Sequence, residues 1–120
     1  MEPTLLIKTS FVLITITALG GLAMAFVRLG QNANPPSWLA MLHGLLAAAG
    51  LTLLLYAYFT VGLPTLAAWS LLLFLVAAAG GTLLNLGYHL KMVLLPKSIV
   101  FVHAGVAVVA YALLLMTVLK

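Results

Sequence analysis

Four apolar stretches, each about as long as a helix must be to cross a hydrocarbon layer, fill almost the whole chain and leave only short breaks. A spanning helix needs about 20 predominantly apolar residues. The stretches run from about Leu5 or Phe11 to Leu29, Trp38 to Thr60, Leu63 to Tyr88 and Ser98 to Leu119. The breaks are of the kind that end helices. Gly30-Gln31-Asn32-Ala33-Asn34-Pro35-Pro36-Ser37 is polar and turn-rich, Val61-Gly62-Leu63-Pro64 is a tight turn, and Lys91 to Lys97 is a short segment ending through Pro96. Loops this short force antiparallel neighbours. The expected fold is therefore all-α, an integral membrane four-helix up-and-down bundle forming a single transmembrane domain over 1–120. Helices suit that medium because each satisfies its own backbone hydrogen bonds.

Composition agrees and removes whole classes of function. The chain is 66% hydrophobic and only 5% charged, whereas soluble domains are about 25% charged. No cysteine is present, which excludes disulfides, thiolate metal sites, iron–sulfur clusters and thiol catalysis. The net charge of +4 comes from Lys8, Arg28, Lys91, Lys97 and Lys120 against Glu2. Five scattered cations make headgroup anchors rather than a nucleic-acid surface. The opening Met-Glu-Pro-Thr lacks the features of a cleaved leader, so the first stretch is expected to be a true span. Three cations flank the second and fourth helix starts and two flank the termini. The positive-inside tendency thus favours the former side in the cytoplasm, although the amino terminus nearly balances it.

The sequence also repeats itself. Displaced by 60 residues, half its length, Gly20-Gly21 falls on Gly80-Gly81, Pro36 on Pro96, His43 on His103, and Leu53-Leu54-Leu55 on Leu113-Leu114-Leu115. Leucine matches are cheap in so apolar a chain; a glycine pair, a proline and a histidine in one register are not. The expectation is a tandem duplication of a two-helix hairpin, about 1–60 and 61–120. The copies would be related by a pseudo-two-fold axis along the membrane normal, as in other parallel membrane repeats.

The repeat places two histidines at equal depth. His43 and His103 each lie five residues into a helix and the two helices run the same way, so at ~1.5 Å per residue both imidazoles sit roughly 8 Å past the helix start. Neighbouring axes lie about 8–10 Å apart, which makes the diagonal about 11–14 Å. Two inward imidazoles are then expected not to touch but to clasp a flat object. Haem fits that description, since imidazole is a standard axial ligand. Ala47 and Gly50, and Ala107 and Ala110, continue the two histidine faces with small side chains. Gly20, Gly21, Gly80 and Gly81 would let backbone approach a porphyrin edge, and Arg28, Lys91 and Lys97 would meet propionates on the loop side. Plainer readings stand beside these. Glycine pairs in membrane helices serve helix packing, and a histidine can be a hydrogen-bonded core residue. His89, whose counterpart is Leu29, could snorkel to the interface, bond a propionate, contact a quinone or join a metal site, with Asn85 one turn earlier to assist.

Leu42-His43-Gly44, Val102-His103-Ala104-Gly105 and the glycine pairs resemble the small four-helix membrane-bound b-type cytochromes, a group that includes quinone-linked bacterial cytochrome b subunits and superoxide oxidase. The resemblance implies a bacterial inner-membrane, multi-pass protein carrying haem b between His43 and His103. It also implies electron exchange with quinone or with a partner subunit of a larger redox complex, or function as a homodimer. Members often carry four histidines for two haems; one matched pair plus His89 provides for one, with a second unsupported. The residues also admit a zinc or copper site built from His43, His89 and His103, or a cofactor-free structural subunit. No Asp or Glu lies within the spans to form a cation pathway.

Overall fold

The computed structural model describes residues 2–120, and among them there are four long helices and no strand. They are α1 (Pro3–Gly30), α2 (Ser37–Thr60), α3 (Thr65–Leu84), which runs on into a π-helical turn (Asn85–His89), and α4 (Lys97–Leu119). All four are long and apolar enough to cross a membrane. Prolines set the starts. Pro3 opens α1, and Pro36, Pro64 and Pro96 occupy the position just before α2, α3 and α4, where a missing N–H costs nothing and helical φ is already in place. This moves the third start from Leu63 to Thr65, because Pro64 stands outside the helix. At the end of α2, Gly62 takes a φ of +81° and its N–H reaches back to the Ala57 carbonyl at 2.8 Å; glycine alone adopts that conformation without strain.

α1 packs chiefly on α2, and α3 on α4, with thinner contacts between α1 and α4 and between α2 and α3. The molecule measures 42 × 20 × 19 Å. Two hydrogen bonds along each main pair, from residues 10 to 50 and 17 to 43 and from 70 to 110 and 77 to 103, show it to be antiparallel. Ser10 Oγ donates to the Gly50 carbonyl at 2.8 Å, and 60 residues on Ser70 Oγ donates to the Ala110 carbonyl at 2.7 Å. Both serines are fully buried. Buried apolar positions recur at the same interval: Ile7 and Ala67, Ile14 and Phe74, Leu54 and Leu114. Outside this core the helices turn Leu, Ile, Val and Phe side chains outward along their whole length, as suits a hydrocarbon surrounding.

The halves differ where α1 meets α4. There Tyr111 stacks on Phe11 with ring centroids 5.3 Å apart, and its hydroxyl lies 2.9 Å from Thr15 Oγ1. The corresponding positions, Leu51 and Leu75, are apolar.

The paired histidines as a candidate cofactor site

His43 and His103 come together on the inner sides of α2 and α4. Their ring centroids are 6.2 Å apart with an interplanar angle of 69°. The expectation that the rings could not touch is corrected. An axis-to-axis estimate omits how far two imidazoles reach inward, and α1 and α3 give them flush seats. A Cβ on Gly21 would stand 3.0 Å from His43 Cε1, and one on Gly81 would stand 3.0 Å from His103 Cε1. Gly20 and Gly80 are the looser members, at 3.8 Å or more from the same side chains. The glycine pairs thus seat the imidazole rings themselves.

Each ring is held by its own hairpin. His43 Nδ1 lies 2.8 Å from the Thr17 carbonyl oxygen, and His103 Nδ1 lies 2.7 Å from the Ala77 carbonyl oxygen. A carbonyl can only accept, so each Nδ1 carries the proton and donates it. Each Nε2 is left as a bare lone pair, with no protein partner and without being sealed from its surroundings. An N–H anchored to backbone opposite a free ring nitrogen is the usual outer support of a metal-bound histidine.

The centroid spacing equals that of two imidazoles sharing one metal ion through Nε2. A bond of ~2.0 Å to each Nε2, plus ~1.1 Å from that atom to its ring centre, puts the centroids about 6.2 Å apart. The same distance and the 69° angle also fall in the range of edge-to-face aromatic packing, about 4.5–7 Å.

Several residues expected near a ring lie elsewhere. Gly50 and Ala110 are buried beneath the serine hydroxyls, and Ile14 fills the space beside Gly50. Arg28 is 6% exposed; its Nε donates to the Leu95 carbonyl at 2.6 Å and Nη1 donates to Asn32 Oδ1 at 3.1 Å. His89 Nε2 donates to the Pro35 carbonyl at 2.8 Å. It lines a cleft with Asn34, Ser37, Met92 and Leu94, so the three histidines do not gather into one cluster. Among the described residues no three side chains of His, Cys, Asp or Glu form a metal-sized group. Lys91 and Lys97 are exposed at this same end.

Sequence reasoning missed Asn34. Its Nδ2 donates to the Val93 carbonyl at 2.8 Å and its Oδ1 accepts from the Leu95 N–H at 2.9 Å. With Arg28 and His89 it ties the 31–36 loop to the 90–96 loop across the two halves. A polar side chain in a Pro-rich loop is the only signal, and its partners are backbone atoms 59 and 61 residues away. Ser10 and Ser70 were also in the 60-residue register, and that match was the available signal.

Comparison with models of known protein families, with curated proteins and with solved structures finds no match to this chain.

Proposed function

We propose that the chain is an up-and-down bundle of four membrane spans built from a duplicated hairpin, in which His43 and His103 are the two axial ligands of one haem b that carries single electrons. The observation that carries this reading is the pair of Nδ1–H bonds to the Thr17 and Ala77 carbonyls, which leaves both Nε2 atoms without a partner on rings whose centroids are 6.2 Å apart. The haem assignment follows from the donor count. Zinc sites take at least three protein ligands and usually four; this site offers two. A haem iron brings four equatorial nitrogens of its own and needs only axial ligands from the protein.

Bound haem supplies a one-electron couple. Thr17 and Ala77 orient the rings, and the apolar helices exclude water. Haem held by both histidines would supply one-electron transfer rather than oxygen or substrate binding. Lys97, six residues before His103 on α4, is exposed at the histidine end and suits a propionate carboxylate, whereas Arg28 is already engaged by the Leu95 carbonyl and Asn32. His43 and His103 lie toward one end of their helices, so a haem held there would exchange electrons mainly at that face, with a quinone or a partner redox subunit.

Haemin titration of purified protein in lipid nanodiscs tests the ligand set. His43→Ala and His103→Ala should each lose the low-spin b-type spectrum, and His89→Ala should retain it. A native spectrum in both of the first two variants overturns the assignment.

A further inference from the structure

The two loops at the histidine end occupy equivalent places in the repeat but differ in chemistry. The 31–36 loop is Gln-Asn-Ala-Asn-Pro-Pro; the 90–96 loop is Leu-Lys-Met-Val-Leu-Leu-Pro. The second loop turns Leu90, Met92, Val93 and Leu94 outward. It is not loose. Leu95 is buried with Leu84 and Val100, and Asn34 bonds Val93 and Leu95. The outward side chains are therefore presented in a set direction.

Met92 makes the point most sharply. Val93 N–H bonds the Tyr88 carbonyl at 2.9 Å and Met92 N–H bonds the His89 carbonyl at 3.1 Å. This is the glycine-favoured helix stop, with Met92 as the left-handed residue at φ +58°. The residue in register with it, Asn32, is also left-handed at φ +51°, but asparagine tolerates that conformation. A methionine here costs backbone strain that glycine avoids, and its side chain is 92% exposed, more than any other large apolar residue among those described. In water such a choice loses twice. Beside it stands exposed Lys91, with no acid at this end of the molecule, the single acidic residue being Glu2.

We propose that the 90–94 loop is an interfacial wedge: Leu90, Met92, Val93 and Leu94 enter the boundary between headgroups and acyl chains while Lys91 holds the phosphate of an anionic lipid. Apolar surface of this kind settles about 5–10 Å into that boundary, and a lysine near an anionic surface contributes about 1 kcal/mol. The 31–36 loop, which has no large apolar side chain, stays in water. The wedge rests on the membrane placement of the helices and not on haem.

The absence of cysteine allows single-site spin labels. Met92→Cys, Val108→Cys on the outer face of α4 and Ala33→Cys in the first loop are labelled in the full chain. The chain is reconstituted in phosphatidylcholine vesicles with and without phosphatidylglycerol. Accessibility to oxygen relative to a water-soluble nickel chelate should be several-fold higher at 92 than at 33, and closer to that at 108. Phosphatidylglycerol should raise it further at 92, and Lys91→Gln should abolish that rise. A label at 92 that behaves as at 33, or that neither reagent reaches because protein covers it, overturns the wedge. A rise that survives Lys91→Gln overturns the lysine's part in it. Low oxygen accessibility at 108 as well would instead overturn the membrane placement itself.

Discussion

Replacing Gly21 by alanine tests the ring seat with a single methyl group. The new Cβ would stand 3.0 Å from His43 Cε1, whereas unstrained carbon contacts are about 3.5–4.0 Å. The imidazole must retreat by roughly half an ångström, and its Nδ1–H bond to Thr17 resists that movement. Overpacking of this kind costs about 1–3 kcal/mol, and Gly→Ala within a helix returns about 0.5–1 kcal/mol. The fold should lose about 0–2.5 kcal/mol of stability and still form. A cofactor that needs the ring in its original place should not be so tolerant, because productive geometry is lost beyond about 0.5 Å. A net penalty of about 1 kcal/mol corresponds to roughly fivefold weaker haem binding. Gly81→Ala, with the same 3.0 Å approach to His103 Cε1, should behave alike. Gly44→Ala and Gly105→Ala are the controls. They lie one and two residues from the histidines, yet an added Cβ meets nothing within 4 Å. The assay is haemin titration followed at the Soret band, with thermal unfolding of each variant in the same detergent. The reasoning is refuted if Gly21→Ala binds haem as tightly as the parent, or if Gly44→Ala weakens binding equally.

Ser10→Ala and Ser70→Ala each remove a buried hydroxyl and leave a helix carbonyl with one fewer donor. Each should lower stability by about 0.6–1 kcal/mol in reversible detergent unfolding, and near-equal losses are expected from matched geometry. Asn34→Ala should free the 90–96 loop, seen as faster hydrogen exchange at the Leu95 amide, while haem binding stays intact. Met92→Gly should relieve the left-handed backbone and raise the unfolding midpoint in detergent by an amount worth about 1 kcal/mol; an unchanged or lower midpoint would contradict the strain assigned to that residue.

The helices were legible because lipid-length apolar runs separated by Pro and Gly admit few alternatives, and Pro36, Pro64 and Pro96 mark three starts directly. The π-helical turn at Asn85–His89 was not legible. Nothing in Asn-Leu-Gly-Tyr-His distinguishes a wide turn from an ordinary one, and the corresponding 25–29 segment is α-helical. The histidine pair was legible from register alone. Its anchoring carbonyls were not, since any residue supplies a carbonyl and only the relative height of two helices selects Thr17 and Ala77. The role of Arg28 was only half legible. A cation at a helix end reads as an anchor, but its burial against Leu95 depends on a loop 67 residues away.

The optical spectrum of the protein as purified from membranes bears most directly on the haem assignment. The account predicts a Soret band and, on reduction, sharp α and β bands of a low-spin b-type haem at one haem per chain. Protein that is colourless and takes up no haemin while remaining folded would contradict it.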